Sequence, residues 1–231
     1  MIKLLSFFIL FFLTHLVSQS QHHNLLPIPL RIEWGEQRFQ LDHSFRVVMN
    51  DTSSSRAGKA VERFLKRLDG RTQLFLKKSF SRKVNEIKGQ YLIIEYSRNG
   101  ELKPGEDESY VLTVTGDVAQ LSASTDIGVL RGLETFLQLV ASDNQGYFIK
   151  GVTINDQPRF TWRGLLIDIG RHFSPIDVIK RNIDGMAMVK LNVLHLHISE
   201  DQGFRIESKL FPKLHLLGSN GEYFTQAQIR E

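Results

Sequence analysis

Gly164-Leu165-Leu166-Ile167-Asp168-Ile169-Gly170 is the stretch on which the fold turns. It is a short, nearly continuous apolar run of the kind that forms strands buried on both faces. Ser174-Pro175-Ile176-Asp177 follows it. This order predicts a helix start, with Ser174 as N-cap, Pro175 at the first helical position and Asp177 completing an aspartate version of the capping box. The helix is predicted to reach about Lys190, with Ile176, Ile179, Ile183, Met186 and Ala187 on one face. Val193-Leu194-His195-Leu196-His197-Ile198 then reads as a second buried strand. Thr225-Gln226-Ala227-Gln228 is a capping box that opens another helix. Strand, helix, strand and a further helix start make a right-handed β/α unit, the building block of a parallel sheet or barrel. A (β/α)8 TIM barrel takes about 250 residues and eight strands. Residues 157–231 are therefore expected to hold the first β/α units of an incomplete one.

Upstream, residues 21–156 have a different rhythm. Short alternating or apolar runs predict strands over Phe45–Met49, Tyr91–Tyr96, Tyr110–Val114, Gln120–Ala123 and Tyr147–Val152. Turn clusters such as Arg98-Asn99-Gly100 and Asp143-Asn144-Gln145-Gly146 separate them. Two helices are predicted, over Ser54–Leu68 with one apolar face and over Asp126–Ser142, which reads as largely buried. Strands without regular helical alternation imply a small α+β domain, its helices on one face of a mainly antiparallel sheet. Asn155-Asp156-Gln157-Pro158 reads as a turn and marks its boundary with the barrel segment.

The first twenty residues stand apart. Lys3 precedes an almost wholly apolar run from Leu4 to Val17, and Ser18 and Ser20 supply small residues before a cut. The run is short for a membrane helix, so residues 1–20 are expected to be a cleaved signal peptide, leaving a secreted or periplasmic protein with no stable membrane span. The chain has 0 cysteines, which excludes disulfides, thiolate catalysis and cysteine-ligated metals. The formal net charge is +4. The basic stretch between Lys59 and Lys103 interleaves with apolar strand patterns, so it reads as a solvated face and not as a nucleic-acid site. Glu106-Asp107-Glu108 reads as a solvated acidic loop.

The densest polar cluster falls where barrel chemistry belongs, at the C-terminal ends of the two predicted barrel strands. One strand runs into Asp168, Arg171 and His172, the other through His195 and His197 into Glu200, Asp201 and Gln202. Strand alternation sets His195 and His197 on one side, with Leu194, Leu196 and Ile198 on the other. Two readings of the histidines stay open on the pattern alone. One is a zinc site for hydrolysis, and the other is satisfied polar packing without metal. Arg171 and Glu200 also admit two readings. A planar donor fork beside an acceptor carboxylate can grip sugar hydroxyls, or the two can form a plain salt bridge.

A longer pattern bears on this choice. Pro158-Arg159-Phe160-Thr161-Trp162-Arg163-Gly164 leads into Asp168 and Arg171-His172-Phe173; Ile183-Asp184-Gly185-Met186-Ala187 precedes Lys190-Leu191-Asn192-Val193-Leu194-His195-Leu196-His197. Asp201-Gln202-Gly203-Phe204-Arg205, Phe211-Pro212 and Tyr223-Phe224-Thr225 follow. The series resembles the start of the catalytic barrel of glycoside hydrolase family 20 β-N-acetylhexosaminidases. Gly128-Val129-Leu130-Arg131-Gly132-Leu133-Glu134-Thr135 resembles the last helix of that family's α+β accessory domain.

The resemblance implies exo-hydrolysis of terminal β-linked GlcNAc or GalNAc with retention, and no cofactor. It also implies a substrate-assisted mechanism, outside the usual two-carboxylate scheme. The substrate's acetamido oxygen attacks the anomeric carbon, a Glu serves as acid and then base, and an Asp orients the acetamido group. By position, Arg171 corresponds to an arginine that binds sugar hydroxyls. Glu200 corresponds to a substrate-contacting carboxylate that is often Asp, one methylene shorter. His195 and His197 correspond to positions that bind no metal. The catalytic Asp-Glu pair belongs on a later strand, and no Asp-Glu dipeptide occurs after Pro158. No catalytic residue is therefore expected in these 231 residues, which alone are expected to be inactive. Two other functions stay open: a non-catalytic carbohydrate-binding remnant and a metal-dependent hydrolase built on His195 and His197.

Overall fold

The computed structural model describes residues 24–82 and 89–231, so the expected signal peptide lies outside the described residues. The first part is a seven-stranded mixed sheet with two helices against one face. Its strands are β1 (Arg31–Leu41), β2 (Arg46–Met49), β3 (Tyr91–Arg98), β4 (Tyr110–Val114), β5 (Val118–Thr125), β6 (Ala141–Asp143) and β7 (Gly146–Asp156). The path across the sheet is β1-β7-β4-β5-β3-β2, with β6 paired to β7. Most neighbours are antiparallel, but β2, β3 and β5 run parallel. The helices are α1 (Arg56–Thr72) and α2 (Asp126–Leu139).

Period-two burial makes this core. Leu92 and Ile94, Tyr110, Leu112 and Val114, and Ala119 and Leu121 turn inward from β3, β4 and β5. They meet Val61, Phe64 and Leu65 of α1 and Leu133, Phe136 and Leu137 of α2. Phe136 sits amid three other rings, its centroid 5.4 Å from Phe64, 5.9 Å from Phe45 and 6.4 Å from Phe39. Ser55 caps α1 and Thr125 caps α2, each hydroxyl accepting from a backbone N–H in the first turn. A side chain at Gly128 would meet the Ser109 carbonyl at 2.3 Å, so only glycine lets α2 dock this closely on the sheet.

Several boundaries differ from the sequence reading. β1 has no counterpart there, because its alternation changes phase: Ile32 and Trp34 pair with Ile154 and Val152, while Phe39 pairs with Ile149 across a bulge between Trp34 and Arg38. α2 stops at Leu139 instead of Ser142, since Ala141–Asp143 pairs with β7 and Arg38 holds the Asp143 carboxylate at 2.7 and 2.9 Å. Asn155 and Asp156 are not in a turn; they close β7, paired to Val111 and Tyr110.

The second part contains β8 (Gly164–Asp168), α3 (Ile176–Met188), β9 (Val193–His197), β10 (Ser199–Glu200), β11 (Gly203–Phe204), α4 (Lys213–Gly218) and α5 (Gln226–Arg230). β8 and β9 pair in parallel, from Gly164 opposite Val193 to Asp168 opposite His197. Pro175, not Ser174, is the N-cap of α3, with φ −57° and ψ 155° and no side-chain cap bond. Its extended backbone delays the helix by one residue, and its carbonyl accepts from Val178 and Ile179. α3 ends at Met188, short of Lys190, whose φ of 61° turns the chain into β9. Ile179 and Met186 are buried as expected, but Ile183 is 47% exposed. The predicted capping box at Thr225 is formed, its hydroxyl accepting from Gln228 N and the Gln228 side chain returning to Thr225 N. Among the described residues, no helix is long and apolar enough to cross a membrane.

Candidate active site

The aliphatic sides of β8 and β9 face α3. Ile167, Ile169, Leu194, Leu196 and Ile198 gather with Ile176, Ile179, Phe173 and Phe224 in a small second core. Alternation then leaves Leu166, Asp168, His195 and His197 on the other side. Register does the rest: Asp168 and His197 are direct partners at the C-terminal ends of the two strands.

The chain turns immediately after β8, and the N–H groups of Ile169 and Gly170 both donate to the His197 carbonyl at 3.0 Å. Arg171 folds back over this turn. Its backbone N–H donates to Asp168 Oδ1 at 3.0 Å and its Nη1 to Oδ2 at 2.5 Å. Its Nη2 donates to Glu200 Oε1 at 2.7 Å. Glu200 is held in the two-stranded β10–β11 hairpin, and His197 Nε2 lies 3.0 Å from the same Oε1 and from the Ser199 carbonyl. Asp168, Arg171, His197 and Glu200 therefore form one cluster. The backbone N–H of Arg171 is the largest influence on Asp168 and, with the guanidinium, holds its carboxyl below the usual carboxylate range. The Asp168 hydrogen bond, seconded by the Glu200 charge, pushes the arginine up and keeps it charged.

Arg171 is 59% exposed at its side chain while both carboxylates are about a quarter exposed. The guanidinium is thus gripped from one side and open on the other. A planar fork of donors fixed between carboxylates can present N–H and oxygen together to a polyol. His195, His172, Asp201 and Gln202 are exposed and stand outside this cluster. Among the described residues, no group of three or more His, Asp and Glu side chains comes together as a metal-binding set. A cavity of about 170 Å³, bounded by Tyr110, Arg131, Asp156 and Lys190, lies at the junction of the two parts and shares no residue with the cluster.

Two features of the surroundings escape sequence reasoning. Arg205 is 5% exposed and donates to the carbonyls of Ile169, Gly170, Ser219 and Glu222, so it ties the turn before Arg171 to the loop beyond β11. Its place in the Asp201–Arg205 run was the available signal. Glu106-Asp107-Glu108 is no solvated loop. The Glu106 side chain is 7% exposed, and hydrogen bonds from Arg98 and two backbone N–H groups bring its carboxyl down to about 2. Glu108 is buried between Arg131 and Arg163. Arg131 and Arg163 lie 23 and 55 residues from Glu108, so composition makes the segment read as an exposed acidic run.

Two family models match the chain: "beta-acetyl hexosaminidase like" over residues 25–139 and "Glycosyl hydrolase family 20, catalytic domain" over residues 160–231. Beta-hexosaminidase 1 of Arabidopsis thaliana is 37% identical over 210 residues, which is 82% of this chain and 38% of that protein. Human beta-hexosaminidase subunit beta is 52% identical over 114 residues, 49% of this chain and 20% of its own length. The solved chitobiase of Flavobacterium johnsoniae superposes with a TM-score of 0.84 at 45% identity, covering 90% of this chain and 32% of that one. The exo β-N-acetylglucosaminidase of Vibrio harveyi, solved with N-acetylglucosamine, gives 0.71 at 27% identity, covering 89% and 33%. The chain thus spans less than two fifths of the length of these relatives. It belongs to glycoside hydrolase family 20, of which it carries the accessory domain and the start of the catalytic domain.

Proposed function

We propose that the protein is an exported exo-β-N-acetylhexosaminidase that releases terminal β-linked GlcNAc or GalNAc with retention. The carrying observation is the cluster at the ends of β8 and β9, where Arg171 Nη2 and Glu200 Oε1 are 2.7 Å apart and the guanidinium has an open side. In this reading β8 and β9 are the first two strands of a TIM barrel, and Arg171 and Glu200 bind hydroxyls of the terminal sugar. Names of relatives support the substrate class: a chitobiase, beta-hexosaminidases and an enzyme solved with N-acetylglucosamine. The acetamido oxygen of the substrate attacks the anomeric carbon. The glycosidic oxygen departs with the proton of a Glu, which then takes a proton from the incoming water. That Glu and its partner Asp are assigned to a strand beyond Glu231. The apolar run from Leu4 to Val17 supports export to the periplasm or medium.

The test is release of p-nitrophenol from its β-N-acetylglucosaminide by the product of the whole open reading frame, beside the 231-residue chain. Turnover by the first and none by the second is expected. No turnover by the whole product would remove the hexosaminidase reading, and turnover by the chain alone would remove the assignment of the acid/base outside it.

A further inference from the structure

Between the accessory sheet and the first catalytic strands lies a buried polar junction that the sugar site does not use. Glu108 Oε2 accepts from Arg131 Nε at 2.6 Å and from Arg163 Nη2 at 2.5 Å, and its Oε1 from Asn192 Nδ2 at 3.3 Å. Arg131 lies on α2, whereas Arg163 stands immediately before β8 and Asn192 immediately before β9. A second node reinforces the first. Lys190, 5% exposed, donates to Tyr110 Oη at 2.8 Å and to Asp156 Oδ2 at 2.9 Å, while its carbonyl accepts from Arg163 Nε at 2.9 Å. Charges this deeply placed are costly unless fully paired, and here each has partners.

The junction grips the two strands at the point where their pairing begins. Arg163 N donates to Asn192 Oδ1 at 2.9 Å, and Asn192 N donates to the Arg163 carbonyl at 2.9 Å. From there the register runs without a break to Asp168 opposite His197. A slip of one residue would turn every side chain of one strand to the opposite face, separating Arg171 from Glu200. Five residues of strand carry this constraint over about 16 Å.

We infer that Glu108 is a positioning residue, through which the accessory domain sets the register of β8 on β9 and so assembles the Asp168, Arg171, His197 and Glu200 cluster. The functional half of this statement rests on the sugar-binding reading of that cluster. The structural half does not.

The experiment is amide hydrogen exchange and Arg171 side-chain NMR on the full chain, wild type beside Glu108→Gln and Asn192→Ala. Gln keeps the size of Glu108 but leaves two arginines without their anion. Ala removes the brace between strands and leaves both arginines paired. For each variant, exchange in β8 and β9 is expected to speed about a hundredfold, with β4 and β5 unchanged and the Arg171 Nε–Hε signal displaced. Unchanged exchange in β8 and β9 would overturn the inference. So would equal acceleration in β4, β5, β8 and β9, which would make Glu108 a general stabiliser. In the product of the whole reading frame, an Arg171 signal blind to added N-acetylglucosamine would overturn the sugar reading, while exchange still decides the register.

Discussion

Replacing Arg205 by Met keeps a long flexible stem and deletes the whole guanidinium. The wild-type group donates to Ile169 O at 3.1 Å, Gly170 O at 3.1 and 3.2 Å, Ser219 O at 3.0 Å and Glu222 O at 3.2 Å. Ile169 and Gly170 are buried, and Ser219 O keeps the Glu222 N–H at 3.0 Å, so Arg205→Met leaves two carbonyls without a donor where water enters with difficulty. Each orphaned buried acceptor costs about 1–3 kcal/mol, so the two together cost about 2–6 kcal/mol. Removing one side of a buried charged network costs about 3–5 kcal/mol, which agrees. Among the described residues, the second core has only Ile169, Ile179 and Phe224 as buried members, too little apolar area to absorb such a loss. The expected outcome is local, with residues 199–224 losing protection and Arg171 losing its seat while the accessory sheet stays folded. Hydrogen exchange read by mass spectrometry separates the two regions, where one melting curve would blend them. Arg205→Lys should fall between, because one ammonium cannot reach carbonyls on both sides of the fork. Wild-type protection over residues 199–224 in Arg205→Met would refute the reasoning.

Further outcomes follow from the same contacts. Phe136→Ala empties the centre of the four-ring cluster and should cost the accessory domain about 3–5 kcal/mol, read as a lowered urea midpoint of its unfolding. Burial works to raise the Glu108 carboxyl, but the Arg163 hydrogen bond and the Arg131 charge hold it below its ordinary 4.5. A carboxyl depressed in the folded state gives stability that is full above its unfolded value and lost as pH falls through the folded one. The advantage of wild type over Glu108→Gln in the urea midpoint for loss of the β8–β9 unit should therefore be constant above about pH 5.5 and shrink below about pH 4.5. Asp168→Asn removes one of the two carboxylates that fix Arg171, and in the complete enzyme it should raise KM about tenfold with a smaller change in kcat.

Much of the framework is legible in local sequence, for reasons particular residues make plain. Tyr110–Val114 is a strand with both its predicted ends, because Tyr110, Leu112 and Val114 alternate cleanly with outward residues. The parallel pairing of β8 and β9 follows from two apolar runs flanking one amphipathic helix. Arg171 and Glu200 were singled out from sequence, and the structure brings them into contact. The missing parts depend on contacts between distant segments. β1 hides its alternation behind a bulge, β6 exists only as the partner of β7, and the Arg98, Arg131 and Arg163 contacts that bury Glu106 and Glu108 appear only once the chain has folded. Arg205 shows the same limit, since its acceptors are backbone carbonyls that no side-chain pattern records.

The most direct test of the account is kcat/KM for p-nitrophenyl β-N-acetylglucosaminide in the product of the whole reading frame, wild type against Arg171→Ala. Charged hydrogen bonds from a guanidinium to sugar hydroxyls are worth about 1.5–3 kcal/mol each. Two such bonds make the expected loss about 10²–10⁴-fold, with the fold and the β8–β9 exchange pattern retained. Wild-type kcat/KM in Arg171→Ala would contradict the account, because the open face of the guanidinium would then have no part in holding the sugar.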